Sequence, residues 1–452
     1  MADHPLPLQL RNRDRQRLQR YRDHNAFYDG KQWPDANPRR RRRLTLNYTK
    51  PIIHKTTASL LVGRTTTVAP ADDSETAIAH ADHVETALTQ VAEQNALDQL
   101  DFDTELDAAV LGDGVYKLWW DPLNQLVRVS APDPSGVFAW TWPDDPSRTW
   151  RVAQQYTLAG DEAASTLNLD AVLTGALRPT RANAITDVWE RDTFQRWVND
   201  TPSPTVPNPY GLIPFVIFPN IREPKQLWGT SDIPALIAPQ VELNRAFTQL
   251  SLILELSGNP IAVLENVTES ADINVQPGAV WEIPEKAKAY LLDLLQHGGV
   301  RLHIEYLAAV YRALFDLGET PRSAFGAIDT PISGVAMELD LDPLIKKVNR
   351  KRLLRTEAYR ARNDIILSLL AQFADGPSLD GATHTIAWGN ILPTDRDRAV
   401  ANEAALVAAG VHSRRHAADQ LGAISDPDAE FARWLEEQQQ LGALTRQRGG
   451  PD

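Results

Sequence analysis

The sequence predicts an α+β fold that is mostly helical, on three observations. Apolar residues recur at spacings of three and four along several long segments, as they do on the buried face of a helix. Between residues 112 and 220, short runs rich in Val, Trp and Tyr alternate with Pro, Asp and Gly turns, a pattern typical of strands. Residues 337–373 contain one proline, Pro343, and no glycine, which predicts a single long helix.

The composition is that of a folded protein with more than one core. The 452 residues are too many for one ordinary core, so we expect two to four substructures. The absence of cysteine excludes disulfides, thiolate metal sites and cysteine nucleophiles. The first residues lack the apolar core of a signal peptide, and no apolar run reaches the roughly 18 residues of a membrane span. We therefore expect a soluble, intracellular protein with no membrane partner.

Two early helices and a basic one precede the strands. Residues 8–28 read as a basic helix, and residues 48–63 as a helix with Pro51 near its start and Gly63 at its end. The next helix has Asp72 and Ser74 as candidate N-caps. Its predicted apolar face consists of Ala77, Ala81, Val84, Leu88 and Val91.

Helices resume after residue 230. We expect the main helix to begin at Pro239, because proline is tolerated in a first turn, and to end at Ser257. A short mixed segment follows, then a helix ending at Gly318 and a loop of about 15 residues without periodicity, a length that is usually functional or disordered. One strand in "THTIAWGNILP" and two or three short helices from Asp395 complete the chain.

The charge is spread unevenly along the chain. The net charge is -13, yet residues 1–50 carry 13 Lys+Arg against 5 Asp+Glu, and residues 72–121 carry 1 Lys against 13 Asp+Glu. The basic part includes five consecutive arginines, Arg39 to Arg43. An acidic total does not describe a free-standing DNA-binding protein, although it is compatible with a protein that handles DNA without gripping it.

Motifs for enzyme chemistry are missing. The sequence has no G-x-x-x-x-G-K-[ST], no H-E-x-x-H and no G-x-S-x-G. The histidine pairs His80/His83 and His412/His416 have helical spacing but no third ligand nearby, so we interpret them as surface histidines. We predict no catalytic residue, no metal site and no cofactor.

Three charged clusters allow more than one interpretation. The carboxylates of "DFDTELD" and "ELDLDP" are compatible with a two-metal nuclease, but solvated helix starts are favoured because acids near helix N-termini suit the dipole. The third cluster, eight basic residues between Lys346 and Arg362, either contacts DNA or an acidic neighbouring subunit, or forms a solvated polar face. The residues are Asp101, Asp103, Glu105 and Asp107; Glu338, Asp340 and Asp342; and Lys346, Lys347, Arg350, Lys351, Arg352, Arg355, Arg360 and Arg362.

Four stretches, in this order, resemble the tailed-bacteriophage portal (connector) proteins. They are "YDGKQWP" with "LTLNYTKPIIHKTTASLLVGRTTTV", residues 237–263, residues 318–352 and residues 388–438. No single motif is diagnostic, but the order covers nearly the whole chain. The resemblance implies a ring of twelve subunits at one capsid vertex, through which DNA is packaged and ejected.

The resemblance also implies a division of the chain. The parts would be a wing at 1–238, a stem helix at 239–257, a clip at 258–298, a stem helix at 299–318, a tunnel loop at 319–336, the wing long helix and strand at 337–394, and a crown at 395–452. Twelve copies would carry a charge of about -156, so most of the ring should repel DNA and leave contacts to a few sites.

Three sets of site residues follow from the resemblance. The tunnel loop would contact DNA through Arg322, Ser323, Phe325, Thr330 and Ser333. The clip, where the family docks terminase and head-completion proteins, would use Trp281, Glu282, Glu285, Leu291 and Leu292, with packing of the clip core as the open alternative. The subunit interface would use Arg39, Arg40, Arg41, Arg42, Arg43, Lys347, Arg350 and Arg352.

The implied partners are double-stranded DNA of any sequence, the terminase large subunit, a head-completion or adaptor protein, capsid and scaffolding proteins, and further copies of the chain. The implied location is the virion, with assembly in the host cytoplasm. The alternatives are a metal-dependent nuclease and another phage head structural protein. For the arginine run we predict pairing with acidic wing residues, across the subunit boundary or within the chain, with packaged DNA or solvent as the alternative.

Overall fold

The computed structural model describes residues 5–33, 43–167, 169, 171–258, 261–265, 288–292, 299–326, 334–392, 396–422 and 430–438. The chain divides into two compact units, residues 1–389 and 390–452. It is 54% helical and mixed in class, which confirms the expectation of a mostly helical chain that also has strands.

The described residues include twelve helices in addition to a helical stretch at 430–438. They are α1 (Leu6–Arg13), α2 (Arg15–Tyr28), α3 (Thr49–Leu60), α4 (Glu75–Gln94), α5 (Leu97–Leu111), α6 (Gly160–Thr166), α7 (Ala171–Gly175), α8 (Ile233–Gly258), α9 (Gly299–Leu317), α10 (Gly334–Phe373), α11 (Arg396–Ala408) and α12 (Arg414–Gln420).

Thirteen strands of the described residues form four antiparallel sheets, ordered β10-β2-β3, β4-β5-β6-β7-β8 with β9 on β7, β1-β13 and β11-β12. The strands are β1 (Thr65–Ala69), β2 (Asp113–Asp121), β3 (Leu126–Ser130), β4 (Val137–Thr141), β5 (Thr149–Leu158), β6 (Asn183–Glu190), β7 (Thr193–Val198), β8 (Thr201–Pro202), β9 (Val206–Pro207), β10 (Phe215–Pro219), β11 (Ile261–Glu265), β12 (Lys288–Leu292) and β13 (Thr383–Ala387).

Helix α10 lies at the centre of the first unit. Its buried Tyr359, Ile366 and Leu369 share one core with α4, α5, β2, β3, β10 and β13. The predicted face of α4 belongs to this core: Val84, Leu88 and Val91 are buried in it. Ser74 caps α4 by accepting a hydrogen bond from the Ala77 N–H, as its position before the apolar face predicts.

The main helix begins earlier than we expected from the sequence. It starts at Ile233, and Pro239 lies inside it. The Ser231 hydroxyl accepts a hydrogen bond from the Ile233 N–H at 2.9 Å and so begins the helix. Pro239 removes one intrahelical donor, a loss that the packing of the buried Leu236 and Leu243 on α9 outweighs.

The structure differs from the sequence prediction in three other places. The basic helix is broken at Asp14 into α1 and α2, and helices α6 and α7 interrupt the β-rich region. The long helix begins at Gly334, so residues 334–336 are not part of a loop.

The second unit holds the C-terminal helices that the sequence predicts. Residues 430–438 are helical in addition to α11 and α12. The His412 Nδ1 lies 2.9 Å from the Glu403 carboxylate, and the Arg414 guanidinium carbon lies 4.8 Å from the centre of the Trp434 ring. These contacts connect the helices of this unit to each other.

Two glycines allow β13 to approach the end of α3. Gly63 has φ +60°, and a Cβ built on it would lie 2.7 Å from the Gly389 Cα. The Gly389 N–H donates to the Val62 carbonyl at 3.2 Å, so the backbones are in direct contact. Gly211 has a similar φ of +63° but no atom within 4 Å of such a Cβ.

We expect Gly63→Ala to lower the apparent free energy of unfolding in urea by about 3 kcal/mol, because it adds a backbone clash to the conformational strain. Gly211→Ala is the control and should cost about 1 kcal/mol, since it carries the strain alone. Equal losses in the two variants would show that the approach of Gly63 to Gly389 is not tight.

Candidate functional site

The cations of α10 form a buried polar network instead of a solvated face. Five of the eight basic residues are buried, with at most 7% of each exposed: Lys347, Lys351, Arg352, Arg355 and Arg362. A buried cation without a partner costs several kcal/mol, so each must be matched by acceptors from other elements. Our two sequence interpretations, a partner surface or a solvated face, are wrong for these five.

Arg355 and Arg362 are matched by carboxylates of α5. The Arg355 Nε donates to the Glu105 Oε1 at 2.6 Å, and the guanidinium also donates to the Pro219 carbonyl at 2.7 Å. Arg362 forms an ion pair with Asp101, which also pairs with Arg64.

Two tyrosines complete this part of the network. The Tyr116 hydroxyl donates to the Asp101 Oδ1 at 2.6 Å, and the Tyr359 hydroxyl lies 3.4 Å from the Glu105 Oε1. Burial raises the pKa of Tyr359 to about 12, and that of Tyr116 well above its ordinary value. Both hydroxyls therefore stay protonated and can donate to the carboxylates.

The solvated-helix-start interpretation of "DFDTELD" is therefore wrong for two of its acids. Asp101 is 0% exposed and Glu105 is 2% exposed, and both lie inside α5. The same interpretation of "ELDLDP" fits the structure better. Glu338 and Asp340 are exposed near the start of α10, and Asp342 pairs with Lys346 at 2.8 Å.

A second part of the network surrounds Asp232, just before α8. The Lys351 Nζ donates to the Asp232 carboxylate at 2.5 Å and to the Asn220 Oδ1 at 2.8 Å, and the Lys347 Nζ lies 3.6 Å from the carboxylate. Burial alone would raise the pKa of Asp232, but the charges of Lys347 and Lys351 overcome it and hold that pKa at about 2. Burial lowers the pKa of Lys351 to about 8.

Arg352 is matched by backbone carbonyls. Its guanidinium donates to the carbonyls of Leu60 at 3.1 Å, Val62 at 3.2 Å and Gly389 at 2.8 Å, and it stacks 5.1 Å from the centre of the Trp388 ring. Arg352 of α10 thus binds both the end of α3 and the segment that follows β13.

Helices α8 and α9, which the sequence predicts as the stem, form an antiparallel pair. Leu243 and Ala246 of α8 pack with Leu307, Leu314 and Phe315 of α9 and with Ile52 of α3. The segment before α3 runs along α8, because the backbone N–H groups of Leu46 and Tyr48 donate to the side chains of Asn244 and Gln240.

A fixed turn follows α9 where the sequence predicts the start of the tunnel loop. Residues Arg322–Phe325 form one 3-10 turn. The Lys347 Nζ donates to the Gly318 carbonyl at 2.9 Å, and Arg350 pairs with Glu319 at 2.6 Å, so α10 holds the segment that enters the turn. Within the turn the Arg322 guanidinium carbon lies 5.0 Å from the centre of the Tyr311 ring.

Two other predicted loop residues are described. Phe325 is 42% exposed, with its ring 5.7 Å from that of Phe315. The Ser323 hydroxyl is buried and has no hydrogen-bond partner among the residues that the structure describes. The structure thus brings Arg322, Ser323 and Phe325 together in the turn after α9.

The structure shows neither a metal cluster nor a membrane span in its described part. There, no group of three or more His, Cys, Asp or Glu side chains is arranged to hold a metal ion. No described helix is both long enough and apolar enough to cross a bilayer.

The chain also matches the model of a known protein family. The family model for phage portal proteins, SPP1 Gp6-like, matches residues 8–442, nearly the whole chain. The chain belongs to the phage portal family. No curated protein matches the chain.

Membership of the portal family implies a role as a phage structural protein. The family is structural and not enzymatic, it assembles as rings, and it is associated with the virion capsid. The family match confirms the resemblance drawn from the four sequence stretches.

Several predicted portal residues fall outside the described parts of the chain. These are Thr330 and Ser333 of the tunnel loop, Trp281, Glu282 and Glu285 of the clip, and Arg39 to Arg42 of the arginine run. Leu291 and Leu292 lie in β12, whose backbone pairs with β11. The guanidinium carbon of Arg43 lies 5.1 Å from the centre of the Trp33 ring.

The predicted subunit-interface residues of α10 divide into two groups. Lys347 and Arg352 are buried and donate hydrogen bonds to carbonyls of their own chain, so their assignment to the subunit interface is wrong. Arg350 is exposed, with 61% of its side chain accessible, and remains an interface prediction although it pairs with Glu319.

Sequence patterns did not identify three members of the buried network. Asp232, Arg64 and Tyr116 were not singled out, although they contact the network directly. One signal was present: the cations at 347, 351 and 355 are four residues apart, and so are the acids at 101 and 105. This spacing puts each set on one helix face, but it does not show that the two faces meet.

We expect Arg355→Met to lower the apparent free energy of unfolding by about 3–5 kcal/mol, because Glu105 would remain buried without its cation. The double variant Arg355→Met, Glu105→Leu should recover part of the loss, as it removes both charges. Urea unfolding measures both effects.

Arg360→Met is the matched control for this experiment. Arg360 lies on the same helix, and its 3.3 Å ion pair with Glu357 is at the surface, so its loss should change the free energy by less than about 0.5 kcal/mol. If Arg355→Met cost no more than this control, the network would not stabilise the fold.

Proposed function

We propose that the chain forms the portal ring at one capsid vertex, through which double-stranded DNA is packaged and ejected. In this proposal the ring also docks the terminase large subunit and then a head-completion protein. The family match supports the portal role. One structural observation supports assembly into a ring: the proposed stem pair α8–α9 leaves large apolar side chains exposed.

The exposed apolar residues lie towards the end of the stem that is far from the wing core. Leu302 is 69% exposed and Ile304 54% on α9, while Leu252 is 54% exposed and Leu254 52% on α8. Large apolar side chains that stay exposed are unfavourable in water, and several of them on one pair of helices mark a candidate interaction surface. A neighbouring copy that presents its own stem pair would cover them.

The proposed channel has few cations where the DNA passes. Arg322 is the one basic residue of the predicted tunnel loop, residues 319–336, and the chain as a whole carries -13. Each phosphate neutralised by a cation strengthens retention of DNA, so a channel for any sequence works best with few such contacts. In the proposed ring, Arg322 supplies a weak contact that repeats once in each subunit.

We expect the double variant Leu302→Glu, Ile304→Glu to raise the protein concentration needed for ring assembly at least about tenfold. The reason is that the new carboxylates would lose their water at the stem contact. Mass photometry and negative-stain microscopy measure the assembly. Leu123→Glu is the control, since Leu123 is 92% exposed in the turn between β2 and β3. Rings of the stem variant at the wild-type concentration would contradict a stem contact.

We expect Arg322→Ala to alter the amount or rate of DNA packaged while rings still assemble, because Arg322 contacts no other subunit in this proposal. Packaging of DNA into empty heads in vitro is the readout. Arg191→Ala, at the exposed turn between β6 and β7, removes the same charge elsewhere and should package normally. Normal packaging by Arg322→Ala would remove Arg322 from the DNA contact.

A further inference from the structure

A cationic cleft lies between the first two helices and the six-stranded sheet. Its volume is ≈ 740 Å³, and its walls include Arg11, Arg15 and Arg22 with the apolar parts of Leu18 and Tyr156. The sole carboxylate among its lining residues is Asp133. We call this feature the arginine cleft.

The cations of the arginine cleft have no carboxylate partner among the described residues. The Arg11 Nε donates to the neutral Gln155 side chain at 2.7 Å, and Arg22 donates to the neutral Gln19 side chain at 2.6 Å. By contrast, Asp14 pairs with both Arg13 and Arg17 on the same helices. The cleft therefore retains its positive charge and suits an anionic partner.

An acidic surface of matching pattern lies on α4. Glu75 and Asp82 are exposed and form no ion pair with any described residue, and Ile78 between them is 45% exposed. Helix α4 contains no Lys or Arg. We call Glu75, Ile78 and Asp82 the acidic ridge.

The two surfaces share one spacing of charged residues, although Leu18 in the cleft is buried and Ile78 on the ridge is exposed. Arg15, Leu18 and Arg22 of α2 follow the spacing i, i+3, i+7, and so do Glu75, Ile78 and Asp82 of α4. This spacing keeps three residues on one face of a helix. The charged ends of each set are about 10.5 Å apart at 1.5 Å per residue, with an apolar residue between them.

The two surfaces belong to different parts of one chain. Helix α2 packs on α5 and α8, and its Leu18 and Tyr21 share a core with Phe138 and Val188. Helix α4 packs on β1, α5 and α10, with its apolar face in the α10 core. Each helix buries its apolar face and leaves its charged residues, Arg15 and Arg22 or Glu75 and Asp82, at the surface. A second copy can therefore reach both the acidic ridge and the arginine cleft.

We propose that the acidic ridge of one copy docks in the arginine cleft of the next copy around the ring. The proposal rests on the ring assembly proposed above. A closed ring needs two different complementary surfaces on every subunit, and these two supply them. Ile78 enters the cleft beside Leu18 and Tyr156, while Glu75 and Asp82 pair with Arg15 and Arg22 at its edges.

Charge reversal on either side tests this pairing. The cleft variant is Arg15→Glu, Arg22→Glu, and the ridge variant is Glu75→Arg, Asp82→Arg. Each variant alone places like charges at every boundary, so we expect the concentration for half-maximal ring assembly to rise at least about tenfold. Mass photometry measures this concentration, and circular dichroism and thermal melting confirm folding, with Arg15→Gln, Arg22→Gln as a milder second cleft variant.

Mixing the two variants gives the decisive result. In an equimolar mixture, every boundary between unlike subunits is complementary and every boundary between like subunits is repulsive. We expect rings to return, and native mass spectrometry should show equal numbers of the two variants in strict alternation. Arg148→Glu, Arg178→Glu is the control, because it changes the charge equally at exposed wing positions outside the cleft.

Three outcomes would overturn the pairing. Rings of either variant alone at the wild-type concentration would do so, and so would a mixture that fails to assemble. Normal rings of the cleft variant with weaker DNA binding would assign the cleft to DNA instead. Failure of the wild-type chain to form rings would contradict the portal proposal itself, whereas wild-type rings with unaffected variants would contradict the pairing alone.

Discussion

The buried cations of α10 are the constraint on which the rest of the first unit depends. A cation inside a protein is stable only beside acceptors that replace its water, and these acceptors come from segments far apart in sequence. Arg355 requires Glu105 and the end of β10, Lys351 requires Asp232 before α8, and Arg352 requires the ends of α3 and β13. Satisfying them sets the position of α10 relative to each of these elements.

The same network connects α10 to the start of α8, to the end of α9 and to the turn after α9. Asp232 immediately precedes α8, and Lys347, which lies beside it, donates to the carbonyl of Gly318 at the end of α9. Arg350 then pairs with Glu319. A change in the position of α10 would therefore move the residues that enter the 3-10 turn, where Arg322 lies. In the proposed portal, this is the route by which the wing and the channel are mechanically coupled.

Much of the fold could be predicted from local patterns, but the network could not. The face of α4, its cap at Ser74 and the long helix follow from periodicity and capping, which depend on neighbouring residues. The sequence predicts that α8 starts at Pro239 because the rule for proline is local, whereas packing on α9 keeps the helix intact through Pro239. Asp101 and Glu105 looked solvated because acidic side chains usually are, and their burial depends on arginines about 250 residues away in sequence. Of the proposed site, the sequence order predicts the loop with Arg322, but the exposed apolar residues of α8 and α9 became visible only with the packing.

Cryo-electron microscopy of the purified protein can test the portal proposal. We expect closed rings in which the α8–α9 pairs line the central opening, Leu302 and Ile304 are covered by the adjacent copy, and the Arg322 turn faces the channel. Compact monomers at high concentration, or rings in which the stem pairs face outward and the Arg322 turn is remote from the opening, would contradict it.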